Sequence, residues 1–310
     1  MPRLSAILLA CLFLQAPSRT FAWWDLGHMT VAAVAYDKLD PAVRAKIGAL
    51  LKLNPDYWVW IQGVPADEQE RAAFIHAATW SDDIKGRHDY ARNSIEHDGP
   101  NASLNIGYSD HLAHDYWHFV DTPYAVDGAQ GRPAPEPNAL NEIRLFLKTL
   151  AGDASDDVKS YDVVWLLHLV GDVHQPLHTV SRFSRKMPQG DRGGNDEQVC
   201  LAFTCGAALH AFWDGLLGNK GSAADAYALA NGLASADAAA AADLNPEDWV
   251  KESSDLARKS VYTEAVGDGT GPFTLDQSYQ DAARQLARAQ VALAGARLAG
   301  VLNWALGGAH

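Results

Sequence analysis

The 310-residue sequence predicts an all-α protein, a single domain of packed helices joined by irregular loops. Apolar residues recur at helical spacing almost throughout, and sustained strand alternation is absent. With 48% apolar residues and ten Trp, the chain has ample material for one continuous core. No G-x-G-x-x-G or Walker loop occurs, so the usual nucleotide-cradling loops are not in play.

Residues 1–22 stand outside that fold. Met1-Pro2-Arg3 gives a short positive start, and Ala6 to Leu14 is an apolar run too short to cross a bilayer. Thr20-Phe21-Ala22 then places small residues at the −3 and −1 positions of a cleavage site. This is the anatomy of a secretory signal peptide, so the expected product is secreted or periplasmic. Cleavage after Ala22 leaves a catalytic domain over 23–310 with Trp23 at its start. No later segment is long and apolar enough for a membrane anchor.

Val31, Val34, Ala35 and Leu39 share a face of the first helix, and Asp40-Pro41 opens a second that runs through Leu51. Further helices are expected over 138–150, 161–180, 205–217, 223–234 and 246–260. The last, from about 276 to 306, carries an apolar stripe of Leu286, Ala289, Leu293 and Ala296, with Arg284, Arg288 and Arg297 read as solvated. Two excursions interrupt this frame, 99–132 and 181–204. The second holds Asp191-Arg192-Gly193-Gly194-Asn195.

The formal charge is −13, and losing residues 1–22 removes two arginines (Arg3 and Arg19) and no acid, which takes it to −15. So acidic a chain does not hold polyanions on a general basic surface; a nucleic-acid substrate has to be gripped locally, by metal ions or a few aromatic and cationic groups. Cys11 leaves with the signal peptide. Cys200 and Cys205 then read as a disulfide in an exported protein, with zinc ligation by the pair as the rival reading.

The chemistry lies in the spacing of His and Asp. His168 and Asp172 stand at i and i+4 in an apolar helix, so both project from one face. His178 follows after Pro176, which redirects the chain. His210 and Asp214 repeat the i, i+4 pairing. Neither residue type is readily buried without a partner, and a divalent zinc ion accepts both. Upstream, Thr79-Trp80-Ser81-Asp82 and Tyr116-Trp117-His118-Phe119-Val120-Asp121 set more carboxylate and imidazole among aromatic residues.

Trp23-Trp24-Asp25-Leu26-Gly27-His28 resembles the mature N-terminus of the S1/P1 nucleases, Trp-Gly-x-Leu-Gly-His, with Trp24 where that family usually has Gly. The run from Leu167 to His178 is similar to the family's central motif almost residue for residue. Gly193-Gly194-Asn195 and Leu209-His210-x-x-Trp213-Asp214 follow in the family's order. The resemblance implies the phospholipase C/P1 nuclease fold and three zinc ions. The first would be held by Asp82, His118, His168 and one oxygen of Asp172. Its neighbour would use the α-amine and carbonyl of Trp23, His28 and the other oxygen of Asp172. The third would use His178, His210 and Asp214.

The same resemblance makes Asp82, Asp172 and Lys85 the catalytic set, with Lys85 facing phosphate. Phe119 and Asp121 correspond to a base-stacking and base-hydrogen-bonding pair, although a packed Phe and a structural salt bridge would carry the same letters. His174 is read as supporting a ligand or packed in the core. His76, His88, His97, His111, His114 and His310 match no ligand and read as surface or satisfied histidines. The implied activity is a secreted endonuclease on single-stranded DNA or RNA that leaves 5′-phosphates, with 3′-nucleotidase action and no stable protein partner.

The alternative is a zinc phospholipase C, in which the first His lies further from the N-terminal Trp and the last carboxylate is Glu. His28 and Asp214 favour the nuclease. No H-E-x-x-H occurs, which disfavours a metalloprotease.

Overall fold

The computed structural model describes residues 23–202 and 204–308. Residues 1–22, the expected signal peptide with Cys11, and His310 lie outside them. Helices in the first part of the chain are α1 (Asp25–Tyr36), α2 (Pro41–Leu51), α3 (Tyr57–Trp60), α4 (Gln69–Ala77), α5 (Trp80–Asp83) and α6 (Ile95–Asp98). They are followed by α7 (Ala139–Ala151), α8 (Asp156–Asp172), α9 (Leu209–Asp214), α10 (Ala223–Asn231), α11 (Ala238–Ala242), α12 (Pro246–Leu256) and α13 (Gln277–Leu306). The fold is mostly α, as expected. No helix among the described residues is long and apolar enough to cross a membrane.

Helix α8 is the axis of the molecule. Ser155 caps its start by accepting from Val158 N–H, and every residue from Lys159 to Asp172 is buried. A helix buried on all sides belongs to the middle of a core, and α7, α2, α1 and α13 pack around this one. The expected helix over 161–180 therefore begins earlier and stops at Asp172. Pro176 disfavours helical geometry at Gln175, and the chain re-forms a single 3₁₀ turn, Pro176–His178.

Helix α13 corrects two expectations. Its buried face runs through Ala283, Ala287, Val291, Ala294, Leu298 and Leu302, whereas Leu286, Leu293 and Ala296 are only half-buried and Ala289 is exposed. The reason is its close approach to α1: a methyl at Gly295 would stand 2.5 Å from Val34 Cβ, so small residues line that crossing. Arg297 is not solvated but fully buried. Its guanidinium donates to Ala240 O and His174 Nε2 and pairs with Glu252 at 2.7 Å. His174 donates its Nδ1–H to Val170 O at 2.7 Å, so it is a core residue satisfied by helix and arginine. His114 is likewise satisfied, between Asp110 and Tyr116.

Two small sheets were not expected. Strands β1 (Thr122–Ala125) and β2 (Val180–Phe183) pair in parallel. Strand β3 (Gln198–Leu201) lies between β4 (Thr204–Ala208), antiparallel to it, and β5 (Phe273–Leu275), parallel to it. The Cys200–Cys205 disulfide crosses the β3–β4 hairpin, so the start of the expected 205–217 helix is strand, and only Leu209–Asp214 is α-helical. The first sheet joins the two excursions to each other, and the second ties the 181–204 excursion to the segment before α13.

Candidate metal centre

Each candidate ligand is delivered by an element whose local cause is visible. The last turn of α8 presents His168 and Asp172, α9 presents His210 and Asp214, and α1 presents His28. Asp82 sits on α5, and His118 ends the 3₁₀ turn Asp115–His118. All eight candidate side chains, counting His178, are buried. Trp165 stands edge-on to His118 at 5.4 Å and to Trp117 at 4.9 Å, an aromatic wall that limits where the imidazole can go. At Gly171 a methyl would meet His28 Nδ1 at 2.9 Å, so the glycine is what lets α1 bring His28 beside Asp172.

The ligating atoms converge in three trios: His28, His168 and Asp172; Asp82, His118 and His168; and His178, His210 and Asp214. In each, the atoms lie within 4.8 Å of one another. His168, His178 and His210 donate their Nδ1–H to the carbonyls of Ala78, His118 and Gly193 at 2.7, 2.7 and 2.6 Å. That fixes the tautomer and leaves a lone pair on each Nε2. The Nε2 atoms of His178 and His210 then face one another at 3.0 Å, two lone pairs with no proton between them. A cation resolves that contact. Donor atoms around a tetrahedral zinc with bonds of 2.0–2.2 Å stand about 3.4 Å apart. His210 Nε2 is 3.5 Å and His178 Nε2 3.9 Å from the Asp214 oxygens.

Asp172 divides its oxygens. Oδ1 lies 3.4 Å from His28 Nε2, while Oδ2 lies 3.3 Å from His168 Nε2 and 3.2 Å from His118 Nδ1. Asp82 approaches His118 Nδ1 at 3.7 Å and His168 Nε2 at 3.8 Å. Neither ring nitrogen of His28, nor Asp172 Oδ1, has a hydrogen-bond partner although all are buried. Orphaned polar atoms of this kind carry a desolvation cost that a bound ion removes.

Electrostatics run the same way. Burial, then neighbouring imidazoles, push His28 well below its ordinary value, and burial holds His168 and His210 at about 4, so these rings are neutral. Burial first, with Asp82 adding to it, lifts Asp172 well above the carboxylate range, and burial does the same to Asp214. A divalent ion stabilises the neutral imidazoles as donors and returns the carboxylates to their charged form.

The chain about Trp23 is tied to two of these trios. Trp23 Nε1–H donates to Gly171 O at 3.1 Å, and Trp24 N–H donates to Asp214 O at 3.1 Å. Lys85 Nζ pairs with Asp82 Oδ1 at 2.6 Å. A cavity of about 170 Å³ opens beside the trios, lined by Phe119, Asp121, Lys85, His118, His178 and His210 together with Arg192 and Asn195. Burial, then Asp191, raises Asp121 to about 6, against which Arg192 pulls down.

The S1/P1 nuclease family model matches residues 23–307. The chain belongs to the S1/P1 nuclease family. These enzymes are metal-dependent hydrolases of nucleic acid. A curated relative, Endonuclease 3 of Arabidopsis thaliana, is 26% identical over 316 residues, covering 93% of this chain and 90% of the relative.

Several supporting residues of this S1/P1 nuclease carried no role in the sequence reading. Gln175 donates from Nε2 to Asp214 Oδ1 at 2.7 Å and accepts from Leu177 N–H at 2.6 Å. Buried Asp191 accepts from Arg182 N–H at 2.7 Å, Gly193 N–H at 3.1 Å and Tyr262 OH at 2.5 Å. It thereby sets the turn whose Gly193 carbonyl orients His210. Arg192, Gly193 and Gly194 all have positive φ, which the glycine pair makes accessible. The one available signal was the Asp-x-Gly-Gly pattern. Asp191→Ala strands three donors, and we expect metal affinity at the His178–His210–Asp214 trio to fall about 10–100-fold. Chelator competition measures this; unchanged affinity would remove Asp191 from the support of His210.

Proposed function

We propose that this enzyme is an exported, zinc-dependent endonuclease that cuts single-stranded DNA or RNA to 5′-phosphate products and removes phosphate from 3′-nucleotides. The facing Nε2 atoms of His178 and His210 carry this reading, because they demand a cation next to a cavity sized for one base. Three zinc ions would be held by Asp82, His118, His168 and Asp172; by Trp23, His28 and Asp172; and by His178, His210 and Asp214. Export rests on the signal-peptide anatomy of residues 1–22 and accords with the Cys200–Cys205 disulfide.

When bound, zinc supplies Lewis-acid charge on phosphate oxygens and lowers the pKa of water to near 7. The chain's own groups do the placing. Phe119 offers a ring face to the base, and Asp121 a polar edge beside it. Lys85 aims an ammonium at the phosphate site; as a point charge it holds phosphate without the bidentate fork of an arginine. Hydrolysis bonds a water oxygen to phosphorus and breaks the P–O3′ bond, with a proton passing to the departing oxygen. His178 and His210 border the Phe119 cavity, so the departing nucleoside belongs there. A base in a duplex is stacked and cannot enter that cavity, which gives the single-strand preference.

Side-by-side assays of single-stranded DNA, RNA, a 3′-mononucleotide and phosphatidylcholine, with zinc content measured, test the proposal. Hydrolysis of phosphatidylcholine without hydrolysis of nucleic acid would overturn it in favour of a phospholipase. Phe119→Ala should weaken oligonucleotide binding by roughly 1–3 kcal/mol, at least several-fold, with zinc content intact. Unchanged kinetics on single strands would take Phe119 out of the base site.

A further inference from the structure

A second cleft meets the metal centre beside the Phe119 cavity. Its volume is about 470 Å³, and its walls include Trp24, Asp82, Lys85, Arg92, Asn219 and Lys220. Lys85 borders both cavities, and Ala211 in this one is next in sequence to His210 in the other. The two clefts therefore adjoin at Lys85, which pairs with Asp82.

The aromatic wall is built deliberately. Gly215 backs the six-membered ring of Trp24: a methyl there would fall 2.7 Å from Cζ3 and 3.1 Å from Cε3. Gly218 and Gly221 pack against Leu26 in the same way, at 3.0 and 2.8 Å for an added methyl. These contacts lay the 215–221 loop against the N-terminal segment and bring Asn219 and Lys220 to the rim. Three cations, Lys85, Arg92 and Lys220, and three carboxylates, Asp25, Asp82 and Asp83, line this cleft. Lys85 pairs with Asp82 and Arg92 with Asp115, which leaves Lys220, among the described residues of the lining, as the cation outside an ion pair and able to meet a phosphodiester.

We propose that this cleft is the subsite for the nucleoside on the 5′-phosphate side of the scissile bond, with Trp24 as the stacking face for its base and Lys220 at its backbone. The inference rests on the nuclease reading above. That reading puts the departing nucleoside in the Phe119 cavity, so the nucleoside that retains the phosphate extends the other way. A 3′-mononucleotide has no such nucleoside. The cleft consequently bears on dinucleotides and longer chains, and sets how far strand cleavage exceeds dephosphorylation of 3′-nucleotides.

The test compares kcat/KM on a dinucleotide with kcat/KM on the matching 3′-mononucleotide. It is joined to calorimetric affinity for a non-cleavable dinucleotide methylphosphonate, all on zinc-loaded protein. In Trp24→Ala the dinucleotide-to-mononucleotide ratio should fall roughly fivefold to a hundredfold, with a matching loss of affinity. Trp24→Phe should recover most of both. Lys220→Ala, at a residue of the cleft wall that is no candidate ligand, should lower the same ratio several-fold. An equal loss on both substrates, or loss of zinc in Trp24→Ala, would make the ring a packing element and overturn the subsite. Unchanged ratios in Trp24→Ala and Lys220→Ala would do the same. If the wild type binds the methylphosphonate in a Trp24-dependent way yet hydrolyses neither substrate, the subsite stands and the nuclease chemistry falls.

Discussion

Asp172→Asn should lose more than one zinc per chain and lower phosphodiester hydrolysis about a thousandfold or more. The substitution keeps size and shape but removes the charge from the carboxylate whose two oxygens face different imidazole sets, Oδ1 toward His28 and Oδ2 toward His118 and His168. An amide offers one oxygen acceptor, and its NH₂ would confront lone pairs on the other side. Two ions then lose a ligand through one atom-for-atom change. Several kcal/mol of transition-state stabilisation by bound metal corresponds to about three decades of rate. The fold should persist, since among the described residues the Asp172 side chain meets only members of the ligand cluster. Elemental analysis beside circular dichroism checks this result. A folded variant that retains three zinc ions would refute the bridging role.

Much of this site was legible because its ligands come in local pairs. His168 and Asp172, like His210 and Asp214, share a helix face by arithmetic alone, and Asn138 and Asp276, which cap α7 and α13, mark helix starts within a residue of those expected. What stayed hidden depends on residues distant in sequence. The β1–β2 pairing joins Thr122 to Val180, and no local pattern announces a parallel pair that short. The burial of Arg297 follows from the buried His174 and from Ala240 O and the exposed Glu252, which meet its guanidinium from other elements, and periodicity cannot register such partners. On α13, Ala and Gly carry little hydrophobic contrast, so helical spacing alone favours the face of Leu286, Ala289, Leu293 and Ala296; the close crossing with α1 at Gly295 sets the buried face instead. Gln175 lay inside the central motif, yet its hold on Asp214 spans 39 residues.

The N-terminus gives the sharpest test. Among the proposed ligands, only Trp23 would act through its backbone, by a free amine and a carbonyl, and a free amine exists only if export cuts the chain between Ala22 and Trp23. An amide nitrogen has its lone pair delocalised into the carbonyl and is a poor neutral donor to zinc. The structure fixes the surroundings of that nitrogen closely. The Trp23 indole is fully buried and bonded to Gly171 O, the next residue's N–H is bonded to Asp214 O, and a methyl at Gly27 would lie 2.5 Å from Trp23 Cβ. The segment therefore has little freedom to move an alternative donor into place. A protein that begins at Ala22 should bind the ions of the other two sites but lose the one shared by His28 and Asp172. Hydrolysis should nearly vanish while the helical core survives, because α8 and its neighbours are untouched. Removal of Ala22 by an aminopeptidase should restore both the missing zinc and the activity. Full activity with Ala22 retained would overturn the backbone ligand, and with it the assignment of His28 to a three-zinc centre.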